Sequence, residues 1–196
     1  MKNTKLKRFI AIAAMIAVLF VMAGCGQPAG NQGQQGQINE GQKVYEVDLT
    51  YANLAYIETG DETIDKFTDD VEQTVSVATM DTEEAMLSAA VLEAIELLKT
   101  VPDNLDTAVT CVSDSVPVNS ATVAGRQCTV DIGAKAMEMD SYTEMFFIYQ
   151  IADTILDSFE QIDQVIFTVD GQPADSLGHL DISQPYTDEV VDRFED

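Results

Sequence analysis

The chain has few residues that could act as a nucleophile or a general base near neutral pH. It contains one histidine, His179, and three cysteines. Nucleophilic catalysis needs a nucleophile and a base within hydrogen-bond reach, and a third group that orients the base. Ser176 and Asp181 lie near His179 in the sequence, and Cys111 or Cys128 could form a thiol pair with it. Closeness along the chain does not establish the required geometry, so we predict no catalytic residue.

Motifs for other chemistries are absent from the sequence. There is no Gly-x-Ser-x-Gly elbow, no phosphate-binding glycine loop and no Asp-x-Asp-x-Asp-Gly calcium loop. Paired carboxylates such as Asp69-Asp70 and Glu83-Glu84 are expected by chance in a chain this acidic. We therefore predict a protein that is not an enzyme and that has no cofactor and no metal site.

Cys111 and Cys128 allow two interpretations. Outside the membrane two cysteines can form a disulfide, which would stabilise a short loop by on the order of 3 kcal/mol at most. They could instead be buried thiols that behave as small apolar side chains. Two distant cysteines and one histidine lack the ligand spacing of a zinc site.

The N-terminal segment carries the strongest functional signal. It begins with four basic residues, Lys2, Lys5, Lys7 and Arg8. An apolar run then extends from Phe9 to Ala23, which is shorter than the roughly 20 residues that span a bilayer. The segment resembles a bacterial lipoprotein signal, whose lipobox ends in small-small-Cys, here Ala23-Gly24-Cys25. The resemblance implies that residues 1–24 are removed and that Cys25 is acylated, which places the protein at the extracytoplasmic face of the cell membrane.

An uncleaved membrane anchor is the alternative, and it would also leave the rest of the chain outside the cytoplasm. Residues 25–42 are predicted to be a flexible linker, because five glycines and six glutamines between Gly26 and Gln42 cannot bury enough surface to fold. A coil of that length spans roughly 20–25 Å. Residues 43–187 then form one domain, followed by an acidic tail at 188–196.

The charge balance excludes one class of partner. The whole chain has 10 basic and 34 acidic residues, a formal net charge of −24. Without the four basic residues of the signal, six basic residues remain against 34 acidic ones, which gives a net charge of −28. Nucleic acid is therefore not a partner, since its phosphates must be neutralised by lysine and arginine. The acidity serves solubility, or it attracts a basic protein or divalent cations.

Hydrophobic periodicity predicts the first elements of the domain. Val44 to Tyr51 alternates with period two, typical of a strand, and Leu54 to Ile57 is expected to extend it. Val71, Val75 and Val77 predict a short second strand. A helix follows, with Asp81 as its cap and Glu84 completing a capping box. Its apolar stripe consists of Leu87, Val91, Ala94, Ile95 and Leu98.

Val116–Val123 and Gln127–Ile132 predict a β-hairpin. A two-residue turn at Ala124-Gly125 would place Ala121 opposite Cys128. A three-residue loop, Ala124 to Arg126, would place Val118 opposite Ile132. We favour the three-residue loop, because it keeps the apolar residues of both strands on one face.

The rest of the domain is predicted to contain a second helix and a last strong strand. Ser141 and Glu144 form a capping box, and Asp153 lies on the exposed side. The apolar stripe is Ile148, Ile151, Ala152, Ile155, Leu156 and Phe159. Gln164–Val169 is a strand closed by the turn Asp170-Gly171. Gln172–Tyr186 is expected to be a polar arm, and the acidic end to fray or to dock through Val190, Val191 and Phe194.

These elements predict an α+β fold, a two-layer sandwich in which a mixed β-sheet packs with two amphipathic helices. The conspicuous aromatic residues are Tyr45, Tyr51, Tyr56, Phe146, Phe147 and Tyr149. They are expected in the core or at its rim; an exposed patch for a protein partner is the alternative.

Five short strings, in this order, resemble the GerMN domain of sporulation and germination lipoproteins over residues 44–187. They are Leu98–Pro102, Val130–Ile132, Gln150–Ile155, Val169–Gly171 and Leu177–Pro185. The loop at Thr110–Ser115 departs from the family, which has a Pro-x-Gly-Thr turn there.

The resemblance implies a compact α+β module similar to the ring-building motifs of secretion assemblies, and no established enzymatic reaction. We therefore expect a lipid-anchored, non-enzymatic binding or assembly module of the cell envelope, with a link to sporulation or germination. The membrane, through the lipid, and an envelope protein are the expected partners. A cell-wall hydrolase or its regulator is the alternative, and a small-molecule receptor is a weaker one.

Overall fold

The computed structural model describes residues 41–68 and 70–195, which begin with a long two-stranded ribbon. The first four elements are β1 (Gln42–Leu49), β2 (Ala52–Asn53), α1 (Leu54–Thr59) and β3 (Val71–Ala78). Strands β1 and β3 pair antiparallel and form the ribbon. Val47, Leu49, Val75 and Val77 are buried on one side of it, which confirms the period-two prediction for the first strand and the existence of the predicted second strand.

The predicted extension of the first strand is wrong, because its residues form helix α1. The side chain of Asn53 accepts a hydrogen bond from the backbone N–H of Ala55 at 3.0 Å and caps the helix. Gly60 ends it in the left-handed conformation at φ 63°. A good N-cap and a terminal glycine outweigh the strand preference of a short apolar run.

Helix α2 (Glu83–Leu98) confirms the predicted apolar stripe, and each of its five residues is at most 2% exposed. Its cap is Thr82 and not Asp81: the Thr82 hydroxyl accepts a hydrogen bond from the Ala85 N–H at 3.1 Å. Glu84 makes no capping box, since its carboxylate accepts the N–H of Gly125 at 2.8 Å. Both side chains at 81 and 82 are good caps, so composition did not select between them.

A mixed four-stranded sheet forms the second half of the domain. The next strands are β4 (Ala108–Val109), β5 (Val118–Ala124), β6 (Gln127–Ile132), β7 (Gln164–Val169) and β8 (Gln172–Pro173). The sheet order is β5-β6-β7-β8, with β6 and β7 parallel and the other neighbours antiparallel. Strand β4 pairs with β2 outside this sheet.

The β5–β6 hairpin has the predicted pair of Val118 and Ile132 but a different turn. The turn is Gly125–Arg126, and Val123 lies opposite Cys128. An irregularity beside Val118 then shifts the register by one residue. Both turn predictions are therefore wrong. The criterion behind them held nonetheless, because the bulge restores a single buried face.

Helix α3 (Ser141–Ser158) follows a 3-10 turn at Ala134–Glu138 and confirms the second predicted helix. Its N-cap is Asp140, one residue before the predicted Ser141. The Asp140 carboxylate accepts backbone hydrogen bonds from residues 142 and 143, at 3.1 and 3.0 Å. The helix therefore begins where an aspartate satisfies two of its free N–H groups.

Asp153 of α3, predicted to be exposed, is 5% exposed. Its carboxylate accepts a hydrogen bond from the Thr50 hydroxyl at 2.6 Å. The hydroxyl of Thr154 accepts the backbone N–H of Thr50 at 3.0 Å. The helix is therefore attached to the end of β1 by polar contacts beside its apolar stripe.

The segment after β7 packs onto the domain and is not the predicted polar arm. Its elements are β9 (Ser176–Leu177), β10 (Leu180–Asp181) and α4 (Asp188–Glu195). Leu177, Ile182 and Tyr186 are at most 3% exposed. Val165 and Tyr186 exchange two backbone hydrogen bonds of 2.8 Å. Apolar residues spaced between polar ones carry no clear period, which is why the sequence hid this packing.

The acidic end of the chain docks onto the domain, which is one of the two predicted outcomes. Val191 is 1% exposed. The ring of Phe194 stacks on that of Tyr149 with centroids 3.8 Å apart. The last turn of the chain thereby closes over α3.

The architecture is α+β, as predicted, although its strands are divided between the ribbon, the mixed sheet and two shorter pairs. Helices α2 and α3 both pack against the ribbon, α2 also against β5 and α3 against β7. One large core fills the space between them, and a smaller one lies around Phe146. Among the described residues, no helix has the length and apolarity needed to cross a bilayer.

Candidate functional site

The two cysteines of the described residues are free thiols, so the candidate disulfide is not formed in this structure. Burial raises the pKa of Cys128, on β6, to about 12. Burial, and secondarily the carboxylate of Asp140, raises the pKa of Cys111 to about 11. The thiolate is the reactive and metal-binding form, so Cys128, which is buried, and Cys111, which is half-buried, both behave as small apolar side chains. Cys25, the predicted lipid attachment site, lies outside the described residues.

We use the name closing loop for residues 176–181, which form β9, β10 and the turn between them. His179 lies on this loop beside a buried glutamate. Its Nδ1 is 2.9 Å from Oε2 of Glu144, and its side chain is 59% exposed whereas that of Glu144 is fully buried. The same carboxylate accepts the backbone N–H of His179 at 3.0 Å and that of Leu180 at 2.8 Å. Gly178 permits this approach with φ 73°, since a Cβ there would lie 3.2 Å from Oε2 of Glu144.

This arrangement holds a loop and does not assemble a nucleophile around His179. Within the described part of the chain, no hydroxyl or thiol hydrogen-bonds to the imidazole. Ser176 and Asp181 face each other across β9 and β10. The Asp181 carboxylate accepts hydrogen bonds from the backbone and hydroxyl of Ser183, at 2.8 and 2.6 Å. The sequence neighbours of His179 are thus used in the local turn.

The aromatic residues form core and rim, as predicted. Six rings contact one another around α3: Tyr56, Phe67, Tyr142, Phe146, Tyr149 and Phe194. Tyr51 and Phe147 are fully buried in the large core. Phe67 was not recognised from the sequence, because it lies in a segment without periodicity, whereas Phe194 was predicted to dock. The rings are packed against one another and therefore do not form an exposed apolar patch.

The solvent side of the ribbon carries an acidic face. Asp48 of β1 lies directly opposite Glu72 of β3, and Glu46 lies opposite Thr74. An open depression of about 430 Å³ is lined by Glu46, Asp48, Glu72, Gln73 and Thr74. Desolvation, followed by the charges of Asp70, Glu72 and Glu46, raises the pKa of Asp48 above its usual range. Like charges directly opposite each other destabilise a strand pair, so this face is not arranged for stability.

The basic side chains of the described residues pair with acidic groups away from this face. The pairs are Lys43–Glu83, Lys66–Glu62, Lys99–Glu96, Lys99–Asp114, Arg126–Asp163, Lys135–Glu138 and Arg193–Glu189. The negative potential of the ribbon is therefore left for a group outside the domain. We use the name acidic face for Glu46, Asp48 and Glu72.

Three further carboxylates are spaced so that they could hold a cation. One ligand oxygen from each of Asp70, Asp153 and Asp157 lies within 4.8 Å of the other two. An all-carboxylate set suits hard cations such as Ca²⁺ or Mg²⁺. The Asp153 carboxylate already accepts the Thr50 hydroxyl, and exposed acidic groups commonly cluster without an ion. The spacing therefore assigns no metal.

Comparison with solved structures gives matches that include two structures of GerMN domains. The first GerMN domain of the sporulation protein GerM from Bacillus subtilis is 14% identical, with a TM-score of 0.49, and covers 74% of this chain and 98% of that one. The tandem GerMN domains of the same protein are 15% identical, with a TM-score of 0.41, and the match covers 82% of this chain and 48% of that one. A Clostridium perfringens protein proposed to be a lipoprotein is 17% identical, with a TM-score of 0.47, over 80% and 94% of the two chains.

Sequence comparison assigns the family. A comparison with curated proteins gives no match. The family model named Germane, described by the words sporulation and spore germination, matches residues 55–175. This segment extends from the second residue of α1 through α3 and contains all four strands of the mixed sheet. Since the match extends over more than half of the chain, the protein belongs to the Germane family of sporulation and spore germination, as its GerMN-like strings predicted.

Proposed function

We propose that the protein is a lipid-anchored module on the extracytoplasmic face of the cell membrane, where it binds or assembles with another envelope protein during sporulation or germination. Membership of the sporulation and germination family is the observation that carries this proposal. The anchor is inferred from the basic start, the apolar run and Cys25. Two acyl chains on a cysteine give stable membrane attachment, whereas one chain is marginal.

The described residues support a role without catalysis. The thiols of the half-buried Cys111 and the buried Cys128 hold their protons at neutral pH, since burial raises the pKa of each. The carboxylate beside His179 is occupied by backbone N–H groups of the closing loop. A binding role agrees with the uncompensated acidic face, because a strong local field raises the rate at which an oppositely charged partner associates.

Anchoring is tested with the Cys25→Ser variant in cells labelled with radioactive fatty acid. We expect the label on the wild type to be lost in this variant, which should also accumulate as an unprocessed precursor. Cys111→Ser is the matched control and should keep the label, since that half-buried thiol belongs to the folded domain and lies far from the lipobox in the sequence. Label that persists on Cys25→Ser would refute the anchor.

The role in sporulation or germination is tested by deleting the gene in the source organism. Spore yield and germination rate are compared for the deletion, the deletion complemented with wild type, and the deletion complemented with Cys25→Ser. We expect a defect that only the wild type restores. Unchanged spore yield and germination in the deletion would refute the role.

Wall hydrolysis is the rival function, and the His179–Glu144 pair is the observation that favours it. Turnover of purified wall fragments by the full chain distinguishes the two. We expect no release of soluble fragments. Release that is abolished by His179→Ala would replace the binding role with an enzymatic one.

A further inference from the structure

Among the described residues, helix side chains hydrogen-bond to the outer edges of two long strands, at the end of β1 and at Val123 of β5. On the outer edge of β1, the hydroxyl of Ser158 accepts the N–H of Asp48 at 2.9 Å, and that of Thr154 accepts the N–H of Thr50 at 3.0 Å. On the outer edge of β5, the hydroxyl of Ser88 accepts a backbone N–H at 2.9 Å. Open strand edges are templates for pairing with other chains, and proteins normally block them.

The outer edge of β3 has no such cover among the described residues. The Asp48 backbone bonds to α3, so Asp48 and its partner Glu72 form a non-hydrogen-bonded pair of the ribbon. The N–H and C=O groups of Glu72 therefore point away from β1, and the same alternation turns those of Thr74 and Ser76 outward. All three residues are exposed, and no described residue donates to or accepts from these backbone groups.

We propose that the outer edge of β3 takes up an extended, basic segment of a partner protein as an additional strand. The inference rests on the proposed binding role and names the surface and the chemistry of the partner. Within this strand of eight residues, the outward N–H and C=O groups of Glu72, Thr74 and Ser76 lie at the spacing of a β-ladder. Main-chain hydrogen bonds would supply affinity, as in other strand-addition complexes.

The acidic face determines the charge of the partner. The side chains of Glu72 and Thr74 lie on this face beside the open edge, with Asp48 and Glu46 across the ribbon. Every second side chain of an added strand would lie next to Glu72 and Thr74, about 5 Å away, and long side chains would reach the diagonal positions. Lysine or arginine at these alternate positions would neutralise the like-charged pair. A second copy of this chain would bring more negative charge, which disfavours self-association through this edge.

The test uses the full 196-residue chain in non-ionic detergent micelles and an eight-residue peptide of alternating lysine and valine. Binding is measured by fluorescence anisotropy at low salt and at about physiological salt. We expect binding that weakens as salt rises. A peptide with glutamate in place of lysine should not bind, and a peptide of the same composition with its lysines contiguous should bind at least about tenfold more weakly.

Two substitutions at one position separate backbone pairing from simple charge attraction. Thr74→Pro removes an outward N–H without removing a bond of the ribbon, and Thr74→Ala keeps that N–H. We expect Thr74→Ala to bind as the wild type does and Thr74→Pro to lose about tenfold in affinity. Equal affinities of the two folded variants would overturn the proposal.

Amide chemical shifts of the wild-type chain give a second test that needs no variant. Addition of the lysine–valine peptide should move the amide resonances of Glu72, Thr74 and Ser76 and leave those of the β5 edge unchanged. Shifts confined to other acidic regions, or no binding at all, would refute the docking site. Neither result affects the acylation and spore assays, so failure of this site is distinguishable from failure of the proposed function.

Discussion

Removal of the Glu144 carboxylate is expected to be one of the most damaging single changes at the polar groups of this domain. A buried charge is costly unless hydrogen bonds compensate it, and here the closing loop supplies them. The N–H of Leu180 has the Glu144 carboxylate as its acceptor, whereas the N–H of His179 also donates to the Leu177 carbonyl at 2.9 Å. Glu144→Ala therefore leaves the Leu180 N–H without its partner and releases the imidazole of His179.

The magnitude follows from these contacts. The loss of the acceptor of this half-buried donor costs toward the lower end of about 1–3 kcal/mol, and truncation of the fully buried Glu144 side chain leaves a cavity with a further penalty. We expect Glu144→Ala to lower the free energy of unfolding by about 3 kcal/mol. For a chain of this size that corresponds to a fall in Tm of about 6–12 °C.

Urea unfolding followed by circular dichroism measures this effect. The midpoint of Glu144→Ala should fall while the dependence of the free energy on urea stays the same. Glu138→Ala is the matched control, since that glutamate is exposed and pairs with Lys135; it should change stability by less than about 0.5 kcal/mol. Equal midpoints for the two variants would show that the loop does not depend on the buried carboxylate.

Three further predictions concern single groups. Asp48→Asn should raise Tm by about 1–2 °C at pH 7, since it removes a like-charged cross-strand contact. Because the folded pKa of Asp48 is raised, this gain should vanish as the pH falls below the usual carboxyl range. A gain in Tm that persists at that pH would contradict the reasoning. Asp140→Ala should lower the free energy of unfolding in urea by about 1 kcal/mol, and Ser141→Ala should lower it by less than about 0.5 kcal/mol. Because hydrogen bonds lower the pKa of Asp140, the loss for Asp140→Ala should be present at neutral pH and disappear as the pH falls through that lowered value. Equal losses for the two variants would contradict the assignment of Asp140 as the cap. Cys111 and Cys128 should react slowly with iodoacetamide at pH 8 in the native chain and fully in urea, as measured by mass spectrometry, whereas a disulfide would block alkylation until it is reduced.

Periodic patterns that extend over many residues predicted the elements of this fold better than the ends of those elements. The stripes of α2 and α3 and the alternation in β1, β6 and β7 are buried as the sequence indicated. Both helix caps were misplaced by one residue, because each start offers two adjacent residues that can cap. Helix α1 and the segment from 172 to 186 were misinterpreted, since a six-residue helix and isolated apolar side chains have no measurable period.

The candidate sites depend on contacts between residues distant in sequence, which a single sequence does not specify. Glu144 meets His179 across 35 residues, and its spacing from Ser141 indicated a capping box instead. The acidic face requires the register of β1 on β3, which pairs Asp48 with Glu72. Alternation alone placed Asp48 on the exposed side of its strand but could not identify the charge opposite to it.

The ribbon departs from the rules that the rest of the domain follows. Helices α2 and α3 hydrogen-bond through serine, threonine and glutamate side chains to backbone groups at the ends of β1 and β5. Strand β3 has an open edge, which is a template for pairing with another chain, and it carries a glutamate against an aspartate, which reduces the stability of the isolated domain. Departures from local consistency concentrate at functional positions, where a gain on binding offsets a loss in the free protein. A basic strand on β3 would satisfy the open backbone groups and the unpaired charges at the same time, and therefore one ligand accounts for both departures.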